Sequence, residues 1–293
     1  MSKFFKETRK AQEWAAQEGA AGLPLDQFVQ TMREGNAVAA GMAEIRLGKC
    51  SRVHLAVKRG APVPFLQREE FPEFSAESYR ALRTRLLRLQ TTRGLRSVVV
   101  TSSIQGEGKT LTTLNLGLCC ARLHATRVLI IDADLRSRGL SRMFGGVPSP
   151  GLAGVLSGEA TSEQAILASD IPNLYFLPAG MPSMSPTELF SEARWKEFVG
   201  WCGESFSLIL IDSPPVLPLA DFELIASACE GVLVVVRALS TRREVLQKAA
   251  VALDPKKMLG FVFNGVKGGL NDGYDYGYSY SYGHEAVPKA KAG

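Results

Sequence analysis

The residues best suited to chemistry lie in a glycine-rich segment at positions 102–110, Ser-Ser-Ile-Gln-Gly-Glu-Gly-Lys-Thr. A strand-like run at 97–101 precedes this segment, and a helical stretch at 111–123 follows it. The two glycines let backbone amides turn inward without a Cβ clash, and the start of the helix adds a positive dipole end. The segment therefore predicts a phosphate-binding loop in which Lys109 reaches the phosphates and the Thr110 hydroxyl binds Mg²⁺.

The loop departs from the usual phosphate-loop pattern at one place. Ser103 stands where a glycine is expected, five residues before the second glycine of the segment. A dinucleotide-binding loop is a poorer match, because Leu111 occupies the position of its third glycine. The sequence also lacks the His-Arg-Asp and Asp-Phe-Gly motifs of eukaryotic-type protein kinases. The loop residues that we expect to contact a nucleotide are Gln105, Gly106, Glu107, Gly108, Lys109, Thr110 and Leu111.

Three aspartates follow two further strand-like runs. The run at 128–131 continues into Asp132 and Asp134, and the run at 208–211 continues into Asp212. In an open parallel sheet, ligands bind beyond the carboxyl ends of the strands. We therefore expect all three carboxylates to face the phosphates and the metal, and to act in catalysis together with Lys109. The predicted metal ligands are Thr110, Asp132 and Asp212.

An alternation of strands and helices must position these groups. The strand-like runs are almost unbroken by polar residues, as is typical of parallel strands buried on both faces; they lie at 97–101, 128–131, 174–177, 208–211, 231–236 and 260–263. Helical stretches separate them, which predicts an α/β fold with a doubly wound, mostly parallel sheet flanked by helices, as in P-loop NTPases. We assign residues 1–75 to a poorly ordered or adaptor-like extension, 76–267 to the nucleotide-binding domain and 268–293 to a flexible tail.

The composition of the chain limits the partners, the types of cysteine or metal site and the cellular compartment that we expect. The chain of 293 residues carries a formal net charge of +5, which permits contact with nucleic acid or an anionic membrane but requires neither. We expect no nucleic-acid partner. The five cysteines form no CxxC pair and the three histidines are isolated, so neither a disulfide framework nor a zinc site is indicated. The sequence shows no signal-peptide pattern and no apolar run of about 20 residues, which predicts a cytoplasmic protein.

A run of tyrosines near the C-terminus has several explanations. Tyrosine occupies every second position from 274 to 282, and these five are most of the seven in the chain. Alternation with period two is typical of a half-buried strand, although the intervening Gly, Ser and Asp residues disfavour one. A sticky aromatic segment is an alternative. The run also offers five accessible phenolic hydroxyls: Tyr274, Tyr276, Tyr278, Tyr280 and Tyr282.

Taken together, these segments resemble the bacterial tyrosine kinases of the capsular and exopolysaccharide type. The resemblance covers about residues 70–285 and rests on the loop at 102–110, the strand ends at 128–134 and 208–212, and the tyrosine cluster. It implies an ATP- and Mg²⁺-dependent kinase that phosphorylates its own tail in trans and regulates polysaccharide polymerisation and export. By the same resemblance, Asp132 accepts the tyrosine proton, Asp134 supports metal or substrate, and Asn264 lies near the adenine.

A fifth similarity concerns assembly and partners. Glu77, Arg80 and Arg83 form an E-x-x-R-x-x-R helix, which in the family contacts the neighbouring subunit of a ring; an exposed helix with a helical-spacing ion pair is the alternative. The sequence shows no membrane-spanning activator region. The resemblance therefore implies a separate membrane activator or polysaccharide co-polymerase, recruitment by it to the inner face of the plasma membrane, and an opposing protein tyrosine phosphatase.

Two other functions share the predicted fold. A ParA/MinD-like positioning ATPase carries a second lysine five residues before the lysine of the loop, and this chain has Ile104 there. The hypothesis of a positioning ATPase also gives the tyrosine tail no role. A non-catalytic regulator of polysaccharide assembly, in which ATP only sets the oligomeric state, is the second alternative, and the intact lysine and aspartates argue against it.

Overall fold

The computed structural model describes residues 47–57, 73–123, 126–146, 149–190, 192–217 and 220–266. The predicted phosphoacceptor tyrosines at 274–282 lie outside these residues, as does most of the predicted N-terminal extension. The predicted boundaries of the extension and the tail therefore stay predictions.

A mostly parallel sheet forms the centre of the described protein. Its eight strands are arranged in the order β1-β4-β5-β3-β6-β2-β7-β8, and only the β4–β5 pair is antiparallel. This confirms the predicted fold class. The strands are β1 (Ser51–Val53), β2 (Ser97–Ser102), β3 (Val128–Asp132), β4 (Leu167–Ser169), β5 (Leu174–Leu177), β6 (Leu208–Asp212), β7 (Gly231–Arg237) and β8 (Met258–Asn264).

Helices cover both faces of the sheet. They are α1 (Glu73–Arg93), α2 (Lys109–Ala121), α3 (Gly139–Met143), α4 (Gly151–Ser157), α5 (Ser162–Ala165), α6 (Pro186–Leu189), α7 (Glu192–Ser205), α8 (Asp221–Ser227) and α9 (Arg243–Val251). None of these helices is long and apolar enough to cross a lipid bilayer.

Each central strand contributes to two cores because successive side chains point to opposite faces. Val99 of β2 packs in the core that contains Trp195 of α7. Its neighbour Val98 packs in the other core, with Leu114 of α2 and Leu86 of α1. Burial on both faces explains why these strands appear in the sequence as continuous apolar runs.

All six predicted strands are present, and the structure adds two more. β1 and β4 are only three residues long and pair with each other at one edge of the sheet. Segments this short give no detectable periodicity. The side chains of Leu47 and Leu55 are buried beside them, so residues 47–57 belong to the sheet domain and not to the predicted extension.

Candidate nucleotide-binding active site

The predicted site residues converge because their strands are neighbours in the sheet. β6 lies between β2 and β3. Asp132 at the end of β3 is paired in register with Asp212 at the end of β6, and Asp212 is also paired with Val100 of β2. Since the strands are parallel, the loop after β2 and the aspartates meet at one edge, as the sequence predicts.

Two glycines shape the loop between β2 and α2. Gly106 and Gly108 have φ angles of 90° and 96°, in the left-handed region that side chains disfavour. The side chain of Asn264, at the end of β8, lies directly against Gly108. Its amide nitrogen donates a hydrogen bond to the Glu107 carbonyl at 2.9 Å. The Asn264 side chain thus stabilises the phosphate loop. Its predicted contact with adenine stays a prediction.

Substitution of Gly108 by alanine should destabilise the folded protein more than the same change at Gly158. Both glycines have positive φ, but a Cβ at Gly108 would overlap the Asn264 amide, whereas a Cβ at Gly158 meets open space. Gly158→Ala should cost about 1 kcal/mol of unfolding free energy, and Gly108→Ala clearly more. Denaturant unfolding of both variants measures the difference, and equal losses would show that the contact with Asn264 is unimportant.

Lys109 is the cationic centre of the site. Its ammonium nitrogen lies 3.0 Å from Asp134 Oδ2 and 3.7 Å from Asp212 Oδ1, and all three side chains are buried. Burial lowers the pKa of Lys109, but the carboxylates of Asp212, Asp134 and Asp132 outweigh it and raise the pKa above its ordinary value. Lys109 is therefore charged at neutral pH and neutralises part of the carboxylate cluster.

Asp132 and Asp212 carry oxygen atoms without protein donors. Asp132 Oδ2 accepts hydrogen bonds from the Ser141 main-chain nitrogen and hydroxyl, each at 2.7 Å. Within the described ranges, Asp132 Oδ1 and both Asp212 oxygens are buried and have no donor within hydrogen-bond distance, although Asp212 Oδ1 is ion-paired with Lys109 at 3.7 Å. Buried polar atoms are normally satisfied, so three orphaned oxygens call for a further ligand.

The orphaned oxygens fit a divalent cation. Mg²⁺ typically binds one or two carboxylates, with water and substrate phosphates completing its shell. Mg²⁺ therefore does not need a site made of protein ligands alone. The described residues contain no group of three or more His, Cys, Asp or Glu side chains that could hold a metal ion by themselves. Thr110 and Asp212 would hold the ion, and the prediction from sequence that Asp132 is a third ligand stays a prediction.

Burial makes both carboxyls unusually basic. Desolvation, reinforced by the charge of Asp212, raises the pKa of Asp132 to about 7. Desolvation also raises the pKa of Asp212 to about 6, although the positive charge of Lys109 opposes the rise. Raised pKa values in a cleft with specific charge partners are a property of functional sites.

The contribution of Asp132 to the stability of the magnesium-free protein should fall as pH rises from about 4 to about 7. In this window the unfolded chain ionises Asp132 while the folded chain keeps it protonated, so the folded state binds more protons. Above pH 7 the loss is complete, at about 1.4 kcal/mol for each pKa unit. The melting temperature of the wild type should therefore decline relative to that of Asp132→Asn between pH 5 and 8. Parallel curves would contradict the raised pKa of Asp132.

Other predicted loop residues serve the loop itself. The Glu107 side chain is buried, and its carboxylate accepts hydrogen bonds from Ile104 and Thr241. The Leu111 side chain packs against the core beneath α2. Any contact of these two residues with a nucleotide would be made by the main chain. Gln105 is exposed, so its side chain can reach a ligand.

The predicted assembly helix is α1, and its three residues have different surroundings. Arg80 donates to Glu77 at 2.9 Å in an exposed pair, as the alternative of a helical-spacing ion pair requires. Arg83 instead donates to the Cys119 carbonyl of α2 at 3.0 Å. The Arg83 guanidinium therefore joins two helices of the same chain. Contact of Glu77 and Arg80 with a second subunit stays a prediction.

Sequence reasoning missed Ser141 and Thr241. Ser141 lies nine residues after Asp132 and fixes its orientation. Thr241 lies 134 residues after Glu107. Neither residue belongs to a motif, because Ser141 lies in α3 and Thr241 in the loop after β7, and each contact forms only when these segments pack against the site. A cavity of about 510 Å³ at the β1–β4 edge, bordered by His54 and Asp170, contains none of the predicted site residues.

Comparisons with known proteins agree with the geometry. No protein-family model matches the chain. It is 34% identical over 195 residues to tyrosine-protein kinase YwqD of Bacillus subtilis, covering 66% of this chain and 82% of YwqD. It is 33% identical over 172 residues to tyrosine-protein kinase CpsD of Streptococcus agalactiae, covering 58% and 75%. The solved BceF tyrosine kinase domain superposes with a TM-score of 0.59 at 31% identity, covering 64% of this chain and 76% of that domain.

Proposed function

Because the chain belongs to the bacterial tyrosine-protein kinase family, we propose that it transfers the γ-phosphoryl group of Mg·ATP to tyrosines at 274–282 of a second copy. The observation that carries the proposal is Lys109, a buried ammonium placed between carboxylates at a phosphate loop. This arrangement supplies the charge that phosphoryl transfer requires, at the position where an ATP γ-phosphate would arrive.

Charge stabilisation is the main catalytic contribution of the site. Lys109 and the amides at the start of α2 would bind the phosphate oxygens. These oxygens become more negative in the transition state, when the γ-phosphoryl group lies between the attacking tyrosine oxygen and ADP. Mg²⁺, when bound, neutralises charge on the β- and γ-phosphates. Thr110 and Asp212 would hold this ion, and Asp134, which accepts a hydrogen bond from the Lys109 ammonium, would keep the Lys109 side chain directed into the site.

Asp132 is the group we assign to the tyrosine proton. A tyrosine hydroxyl has a pKa near 10 and is protonated at neutral pH. As the tyrosine oxygen bonds to the γ-phosphorus and the bond to ADP breaks, the phenolic proton passes to Asp132 Oδ1, which has no protein donor. Ser141 holds the other oxygen. A pKa raised to about 7 suits this role, because a base is most effective near the working pH.

The tail is a suitable acceptor on physical grounds. Short Gly, Ser and Asp residues separate the tyrosines, and such spacers would leave each phenol accessible and give the segment reach. Each phosphate adds about −1.5 to −2 charge at neutral pH. The negative charge added by phosphorylation of all five tyrosines is therefore larger than the net charge of +5. We propose that this charge change regulates capsular or exopolysaccharide polymerisation and export, with recruitment by a separate membrane partner.

Transfer in trans is testable by mixing two variants of the full chain. The acceptor carries Lys109→Met and an intact tail; the donor keeps Lys109 and has phenylalanine at Tyr274, Tyr276, Tyr278, Tyr280 and Tyr282. We expect mass spectrometry to find phosphotyrosine in the acceptor tail only when the donor and Mg·ATP are present. An unmodified acceptor tail in the presence of excess donor, while the wild-type chain modifies itself, would rule out transfer in trans.

A further inference from the structure

A series of hydrogen bonds joins the end of β7 to the phosphate loop. The Arg237 main-chain nitrogen donates to the Thr241 hydroxyl oxygen at 3.1 Å. The same hydroxyl donates to Glu107 Oε1, and Glu107 Oε2 accepts the Ile104 main-chain N–H at 3.0 Å. A threonine hydroxyl can donate one bond while accepting another, so the series is chemically consistent.

Glu107 is an unusual residue for an anion-binding loop. A carboxylate that faced the phosphates would repel them. Here the side chain is 2% exposed, and both of its oxygens are engaged by donors. A buried carboxylate is tolerated only when it is hydrogen-bonded. Thr241 therefore compensates one of the two Glu107 oxygens, and Ile104 compensates the other.

The main chain of Glu107 is held as well. Its carbonyl accepts the Asn264 amide at 2.9 Å. In a trans peptide the carbonyl and the following N–H point in opposite directions. The Gly108 N–H is thereby directed away from Asn264. The side chain and the carbonyl of Glu107 together determine which amides of the loop are available to a phosphate.

We propose that Thr241 is a positioning residue for nucleotide binding, acting through Glu107 to hold the phosphate loop in its binding conformation. The inference rests on the proposed function, because it assumes that the loop receives nucleotide phosphates. Thr241 itself does not touch the nucleotide. The loop between β7 and α9 thus controls a site that it does not line.

The test uses full-length chains and a fluorescent ATP analogue with Mg²⁺, titrated to obtain the Kd. Thr241→Val removes the hydroxyl and keeps the shape of the side chain. We expect binding on the order of 10-fold weaker, the size expected for a hydrogen bond to a charged group. We also expect a lower melting temperature, because one buried Glu107 oxygen loses its donor. Thr241→Ser restores the hydroxyl and should restore the affinity.

Two further variants separate positioning from a general loss of stability. Thr92→Val removes an exposed hydroxyl that donates to the Arg88 carbonyl within α1, and its affinity should match the wild type. On a Glu107→Ala background, Thr241→Val should have little further effect, because coupled residues are not additive. Serine and valine variants with equal affinity, or the full 10-fold loss on the Glu107→Ala background, would overturn the inference. A wild-type chain that fails to bind the analogue would instead overturn the proposed function and this inference with it.

Discussion

Replacement of Lys109 by methionine is expected to lower tail phosphorylation by about 10³-fold or more. Removal of one preorganised donor from a transition state typically costs 10²–10³-fold in rate, and Lys109 is also the cation paired with Asp134 and lying within ion-pair distance of Asp212. Without its charge, the carboxylates repel one another and the incoming triphosphate. Quantitative mass spectrometry of the tail after incubation with Mg·ATP measures the loss.

Lys109→Arg is the matched control for charge. It keeps a cation near the aspartates, so the folded protein should remain about as stable as the wild type, while the bulkier guanidinium should not restore full activity. Lys109→Met should lose thermal stability at pH 8, because buried carboxylates are left without their counter-ion.

In producing cells, Lys109→Met should change the amount or length of exported polysaccharide. Phosphorylation at a normal rate by Lys109→Met would contradict the proposed site.

Asp132→Asn is expected to slow phosphoryl transfer by about 10²- to 10⁴-fold while leaving the affinity for Mg·ATP within a few fold. General-base catalysis contributes this much, and an amide cannot accept the phenolic proton. The amide keeps the size of the carboxyl, and its oxygen can still accept from Ser141. Single-turnover phosphorylation and a separate binding titration distinguish the two effects.

Asp170→Asn is the control for removal of an aspartate charge outside the site. Asp170 is exposed and bonds His54 and the Leu55 main chain at the far edge of the sheet, so phosphorylation by this variant should match that of the wild type. The assignment of Asp132 as the base would fail if Asp132→Asn weakened the binding of Mg·ATP but reacted at the wild-type rate at saturating Mg·ATP, because that pattern indicates lost binding.

The fold class and the main site residues could be predicted because their signals are local. A glycine-rich loop between an apolar run and a helix is contiguous in the chain, and so are the two strand ends that carry aspartates. Strands buried on both faces are five to seven residues long, and most of each strand is an apolar run. β1 and β4 were missed because three residues cannot show a period.

Contacts between residues that are far apart in the sequence could not be predicted, because no local sequence pattern indicates them. Lys109 reaches an aspartate 25 residues away, and Glu107 reaches a threonine 134 residues away. Arg83 belongs to a recognisable helix pattern, yet folding directs its guanidinium to α2 of the same chain. Residue types and the alternation of strand-like and helical segments were thus sufficient to indicate phosphate chemistry at the carboxyl ends of parallel strands. Burial and the packing of distant loops set the raised pKa of Asp132, the orphaned carboxylate oxygens and the support of the phosphate loop, because these depend on which groups lose contact with water.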